Sequence, residues 1–278
     1  LSLVTRGLNL GIDFEGGVAW EVPAASITVA DVTGILETNG VDTADAKIQS
    51  LNGSDGPRIR VQVAEQNDAT KSAVQAELAA KAKVDVQDVS VSSVSSSWGR
   101  SITEKAVRAL LIFFVLVSIF IAWRFEWKMA LSAILAMAHD VLISVGVYSV
   151  TGLAVTPATV IAFLTILGFS LYDTIVVFDK VHDNTAKYSA SRVSYADITN
   201  VSMNQVLMRS INTSLAAVLP VLSLLVLGSW VLGAVALEEF AIALLVGLLL
   251  GAYSSIFVAT PLLAVFKTRE SKYASMAD

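Results

Sequence analysis

The chain contains no cysteine, which excludes disulfides, thiolate metal sites and a thiol nucleophile. Histidine is almost as scarce: His139 and His182 are the only two, too few for a zinc site of ordinary type. A G-x-x-x-x-G-K-[ST] segment is also missing, so ATP phosphates have no cradle and any work draws on another energy source. Charge is sparse as well, with 15% charged residues, a formal net charge of -5 and no Lys/Arg cluster. That balance excludes nucleic acid as a partner, because such binding rests on neutralising phosphates. No catalytic constellation, metal-ligand set or cofactor motif emerges, so the chain does not read as an enzyme. What it has is apolar mass, 55% hydrophobic residues and a mean hydropathy of +0.68, which places it in the lipid bilayer as an integral membrane protein.

That mass is unevenly spread. Residues 1–98 are polar and read as a small α/β domain. Gly16 to Val22 alternates as a strand, Thr28 to Asn39 has helical spacing that ends before Gly40, and Ala46 to Leu51 is short and strand-like. Pro57 to Val63 alternates strictly, Asn67 caps an Ala-rich helix to about Ala82, and Asp88 to Val94 reads as a last strand. The order β-α-β-β-α-β predicts a ferredoxin-like domain. Serines from Ser92 to Ser97 and a linker at 99–105 then lead into the membrane.

Five spans follow, at about 106–123, 129–150, 156–179, 206–227 and 239–265, each near the ~20 residues a ~30 Å hydrocarbon core requires. Residues 267–278 form a tail. Arg124 and Lys128, then Lys180, Lys187 and Arg192, then Lys267, Arg269 and Lys272 mark alternate connections, whereas 151–155 and 228–237 carry no Lys or Arg. The basic connections are therefore expected in the cytoplasm and the α/β domain outside. A further span ahead of Leu1 is therefore expected, to bring a cytoplasmic N-terminus out.

Charges inside the spans are the most informative feature. A carboxylate at mid-helix in hydrocarbon costs roughly 2.5–3.5 kcal/mol, so it faces a partner or a wet cavity. Asp173 lies in the third span with Ser170 one turn earlier on its face, and Arg209 opens the fourth span at similar expected depth, flanked by Gln205, Asn212 and Thr213. Two antiparallel neighbours would set Asp173 against Arg209 as a proton relay, with Asp140, Ser170, Gln205 and Asn212 as auxiliary polar groups. Asp140 shares a stripe with Ser132 and Ser144, and interhelical glue is an equal reading of it. His139 points about 100° away and reads as packed or hydrogen-bonded. Small residues at Ala243, Gly247, Gly251, Ser255 and Ala259 form a ridge for close helix packing, its partner helix open. Glu238 and Glu239 stand at the start of the last span, most simply as a solvated cap.

Gly11-Ile12-Asp13-Phe14-Glu15-Gly16-Gly17 is too glycine-rich for a strand interior and lacks the helix and lysine of a phosphate loop, so it reads as a turn into the first strand. This heptapeptide, with Gly11, Asp13, Gly16 and Gly17, resembles the G-I-D-F-x-G-G segment of the bacterial SecD/SecF export proteins. The resemblance continues through Arg124-Phe125-Glu126-Trp127, Ala138-His139-Asp140-Val141, Gly168 to Asp179, Asn204-Gln205 with Arg209 and Thr213-Ser214, and Tyr253 to Phe257. The motif order is that of the family's SecF branch.

The resemblance implies a six-span relative of the resistance-nodulation-division transporters in the bacterial plasma membrane. It implies SecD, the SecYEG channel, YajC and YidC-type subunits and the exported polypeptide as partners, and protons as the coupling ion without another cofactor. Asp173 and Arg209 match the family's acidic and basic positions. Tyr172 departs from the commoner asparagine there. Two other readings remain: a proton-coupled exporter of small molecules or lipids, disfavoured by a single small outer domain, and a passive membrane scaffold.

Overall fold

The computed structural model describes residues 2–53, 56–188, 193–231 and 235–270. Arg192, and Lys272 with the rest of the tail at 271–278, lie outside the described residues. A short helix α1 (Ser2–Thr5) and strand β1 (Asn9–Leu10) lead to α2 (Ile12–Glu15). The domain proper follows as β2 (Gly17–Pro23), α3 (Val29–Thr38), β3 (Lys47–Gly53), β4 (Gly56–Val63), α4 (Asp68–Ala82) and β5 (Ser90–Val94).

The sheet order is β3-β4-β2-β5 with every neighbour antiparallel, which is the ferredoxin-like arrangement the element order predicts. Alternation decides which face is which. Val18, Trp20 and Val22 of β2 and Ile59, Val61 and Val63 of β4 point into one core with Val32 and Leu36 of α3 and Val74 and Leu78 of α4. Full burial of each such side chain contributes roughly 1.5–3 kcal/mol. Ala19, Glu21, Arg60 and Gln62 take the opposite face. Both helices start where a side chain satisfies free backbone N–H groups: Thr28 caps α3 in a reciprocal box with Asp31, and Asn67 caps α4.

The linker expected at 99–105 is not a linker. Ser95 caps a continuous helix α5 (Ser96–Arg124), because no proline interrupts the stretch from Ser96 to Ile102 and its one glycine, Gly99, is tolerated once the cap is made. The glycine-rich turn likewise contains one helical turn, α2, laid against the start of α5. A Cβ on Gly99 would come within 2.7 Å of the Phe14 carbonyl oxygen, and one on Gly16 within 2.6 Å of Ser96 Cα. Gly17 has φ 123° and a Cβ there would sit 2.3 Å from the Val63 carbonyl oxygen. The absence of side chains at Gly16 and Gly99 lets both chain connections of the domain run side by side, and at Gly17 it lets the start of β2 lie close against the end of β4.

The spans after α5 are α6 (Trp127–Thr151), α7 (Pro157–Lys187), α8 (Tyr195–Ser223) and α9 (Val235–Ser254) with α10 (Thr260–Thr268). Among the described residues, five helical stretches are long and apolar enough to cross a membrane. A short strand β6 (Ala154–Val155) pairs in parallel with β1 and ties the α6–α7 connection to the domain side. Thr156 caps α7 and Pro157 opens it, as the sequence predicts. However, α7 runs two turns past 179 to Lys187, and α8 starts at Tyr195, well before 206. The polar ends of these helices extend beyond the apolar runs from which spans are counted.

Pro261 removes one backbone donor, and the last span answers with a π-helical turn at Ser255–Ala259 that separates α9 from α10. Thr260 Oγ1 donates to the Ser255 carbonyl at 2.7 Å. At the end remote from the domain, buried Lys128 donates to the Phe266 carbonyl at 2.6 Å and pairs with Glu270 at 2.9 Å. Lys267 bonds Glu126 beside it. These contacts clasp the start of α6 to the end of α10.

Gly17→Ala is expected to destabilise the protein by more than about 1 kcal/mol, since φ is positive and the Cβ meets backbone. Gly34→Ala, in α3 with open space at its Cβ, is expected to stabilise it by about 0.4–1 kcal/mol. Thermal unfolding of the detergent-purified chain compares the two.

Candidate functional site

The buried face of α6 carries Ser132, Asp140, Ser144 and Tyr148 at helical spacing, all nearly inaccessible. Asp140 is 1% exposed and gathers partners from three helices. Its Oδ2 accepts from Ser170 Oγ of α7 at 2.6 Å and from Ser254 Oγ of α9 at 2.7 Å. Its Oδ1 lies 3.2 Å from Nδ1 of its neighbour His139, so His139 is hydrogen-bonded, one of the two roles expected of it. Ser255 Oγ donates to the Ser170 carbonyl at 3.1 Å and lies 2.9 Å from Thr174 Oγ1, which knits α7 to the π-turn.

The ridge of small residues finds its partner here. A Cβ on Gly247 would strike the Ile166 side chain at 2.1 Å, and one on Gly251 would lie 2.9 Å from Ser170 Cβ. Gly247, Gly251 and Ser255 therefore let α9 approach α7, and that approach brings Ser254 to Asp140.

Asp173 lies on the same inner face of α7, 6% exposed. Its Oδ2 accepts from Ser214 Oγ of α8 at 3.5 Å, and Ser210 is buried one turn away. A crevice of about 20 Å³ beside it is lined by Phe169, Ser170, Tyr172, Thr213 and Ser214 among others.

The expected ion pair between Asp173 and Arg209 is not formed. The two do lie at one depth, for Asp173 precedes Lys187 by as many residues as Arg209 follows Tyr195, roughly 21 Å of helix. Direction separates them. Ser210 and Ser214 occupy the α7-facing side of α8, so Arg209, about 100° round from Ser210, points to the exposed edge. There its Nη2 donates to the Tyr172 hydroxyl at 3.3 Å. Tyr172 stands at the matching edge of α7, so two layers form: an inner one of Asp173 and Ser214, and an edge one of Tyr172 and Arg209.

The auxiliary residues divide in the same way. Ser170 serves Asp140 and not Asp173. Gln205 is exposed and accepts from Asn184 Nδ2 at 3.0 Å, and Asn212 lies on the exposed face of α8. Ser254, Thr174 and Ser210 join the site without being singled out by the sequence pattern. For Ser210 a signal exists, since it sits four residues before Ser214; for Ser254 nothing marks one serine of a pair as the ligand.

Glu239 is the other correction. Instead of a solvated cap, its side chain is 12% exposed and pairs with Arg60 of β4 at 2.6 Å. Arg60 also pairs with Glu21 of β2. Burial alone would depress the Arg60 guanidinium pKa, but the two carboxylates more than offset this and hold it above its ordinary value. The pair lines a cavity of about 470 Å³ between the open sheet face and the helix ends, together with Gly11, Asp13, Gln62 and Thr156. Tyr148 Oη donates to the Glu239 carbonyl at 3.2 Å.

Residues 73–269 match the family described as "Protein export membrane protein SecD/SecF, C-terminal", and residues 1–18 match the SecD/SecF GG motif. The chain is 43% identical to the protein translocase subunit SecF of Streptomyces coelicolor, covering 99% of this chain and 73% of the relative. It is 44% identical to the SecF of Mycobacterium tuberculosis H37Rv, covering 96% of this chain and 62% of the relative. The chain thus spans about three-fifths to three-quarters of these relatives' length. The crystal structure of SecDF from Thermus thermophilus, a translocon-associated membrane protein, superposes with a TM-score of 0.85 at 34% identity, over 96% of this chain and 36% of that one.

Gly251→Ala is expected to lower thermal stability by about 1–3 kcal/mol, the usual cost of overpacking, by pushing α9 off Ser170. Gly146→Ala, in α6 with open space at its Cβ, is expected to cost nothing and to raise stability by about 0.4–1 kcal/mol. Unfolding of both variants in the same detergent checks the contrast.

Proposed function

The chain belongs to the SecD/SecF family of protein-export membrane proteins, and we propose that it acts as a SecF-type subunit that uses the proton motive force to assist polypeptide translocation. The observation that carries this reading is the pair of buried carboxylates, Asp140 and Asp173, held mainly by hydroxyl groups. A hydroxyl donates to a carboxylate and accepts from a carboxylic acid, so either protonation state is satisfied without rebuilding the site. The crevice at Asp173, about 20 Å³, has room for roughly one water to pass a proton. One elementary charge moving through 100 mV yields roughly 2.3 kcal/mol, so a few protons bias a rearrangement worth a few kcal/mol.

In this reading Arg209 faces a partner. An exposed guanidinium amid Phe169, Met208, Ile211 and Leu215 is too costly to leave in hydrocarbon, and a SecD-type subunit covers it. The α/β domain stands outside the plasma membrane, because Arg124, Lys128, Lys180, Lys187, Lys267 and Arg269 gather at the opposite end of the helices. There it is placed to hold or release polypeptide emerging from the SecYEG channel.

Asp173→Asn and Asp140→Asn are each expected to insert and fold yet lose the proton-gradient-stimulated component of export. Arg209→Met is expected to lose it too, and Arg209→Lys to keep some of it, since lysine retains the charge without the planar fork. Export of a reporter into inverted membrane vesicles, with and without an ionophore, measures this. Full stimulation in the Asp173→Asn variant would sink the proton-exchange reading and favour a scaffold.

A further inference from the structure

Helix α9 makes a polar contact at each end. Near its start it carries Glu239, paired with Arg60 of the domain sheet; at its end it carries Ser254, bonded to Asp140. Between them runs roughly 22 Å of unbroken helix. A helix of that length moves as a unit, and its close packing on α7 through Gly247 and Gly251 allows sliding or tilting more readily than bending.

The other end of the linkage is a narrow joint. The domain joins the membrane helices through two chain connections side by side, at Gly16–Gly17 and Ser95–Ser96, where the backbones touch. Two connections at one edge make a hinge. Away from it, Arg60 reaches Glu239, and Gln49 Nε2 donates to the Gly152 carbonyl at 2.8 Å. The Arg60 side chain is only 14% exposed and its partners 20% and 12%. Salt and water therefore screen the contact far less than a surface pair. Directly below Ser254 lies the π-turn at Ser255–Ala259, where the backbone register of this span changes and an element can shift by a fraction of a turn.

We propose that α9 is a coupling rod that links the hydrogen-bonding state of Asp140 to the seating of the α/β domain, with Arg60 as the positioning residue that latches the domain to the rod. When the Asp140–Ser254 contact changes, α9 shifts and carries Glu239 with it. Arg60, held in place by Glu21, transmits the shift to β4, and the domain turns about its glycine hinge. The proposal rests on the proton-exchange reading only for what changes Asp140; the linkage itself is mechanical.

The cysteine-free sequence allows a direct test. Spin labels at Ser72→Cys, exposed on α4, and Thr151→Cys, exposed at the end of α6, report the domain-to-membrane distance in the full chain in lipid vesicles. Glu239→Gln and Arg60→Ala are expected to add a second, broader distance population, and Arg60→Lys to keep the parent one. Asp140→Asn is expected to shift the distribution in the parent and to add nothing once Glu239→Gln is present. Glu239→Gln leaves the domain's own core untouched, so it reads the latch even where Arg60→Ala misfolds. Distributions unchanged by Glu239→Gln, or by Asp140→Asn, overturn the proposal, as does an Asp140→Asn shift of equal size with and without the latch. Because no export is measured, loss of gradient-stimulated export in inverted vesicles and loss of this linkage are independent results.

Discussion

The carboxylate of Asp140 constrains the membrane-spanning region more than any other group. It lies among three helices, and a buried carboxylate needs donors that water cannot supply. Its own helix offers only His139 next door. The other donors must come from Ser170 of α7 and Ser254 of α9, at 2.6 and 2.7 Å. Both can arrive only if α7 and α9 come closer than ordinary side chains permit, which is why their interface is built on Gly247 and Gly251. Small-residue packing and polar satisfaction are here one requirement seen from two sides.

A comparable economy appears at the glycine-rich segment. Gly16 and Gly99 remove side chains where the chain enters and leaves the domain, so that the segment before β2 and the start of α5 can lie against one another. The domain then has a conventional apolar core on its helix face and a polar sheet face turned to the membrane helices. Glu21, Arg60 and Gln62 would read as ordinary solvent-facing strand residues on an isolated domain. Placed over the helix ends, they become one wall of a cavity and the means of contact with Glu239.

With Asp173 and Arg209 separated, the helical bundle presents chemically distinct inner and outer surfaces. The interior holds carboxylates and hydroxyls, with no Lys or Arg within ion-pairing distance of Asp140 or Asp173 among the described residues. The exposed edge holds Arg209, Tyr172 and large apolar groups. The proposed proton exchange rests on the first surface and the proposed protein neighbour on the second.

Much of this was legible in the sequence because it depends on local period and composition. Strict alternation from Pro57 to Val63, the caps at Thr28, Asn67 and Thr156, five apolar runs and the two in-span acids are properties of consecutive residues, and the physics of strand, cap and bilayer reads them directly. Helix ends were less legible, since polar turns of α7 and α8 continue past the hydrocarbon and look like connection. What the sequence could not specify was which residue on a helix meets which on another. A difference of about 100° sends Ser210 inward and Arg209 to the edge, and Ser254 rather than Ser255 to Asp140. Glu239 and Arg60, 179 residues apart, meet only because the sheet is seated on the helix ends. Depth, period and burden of charge are set along the chain, whereas azimuth and long-range pairing are set by packing, and only the folded structure decides those.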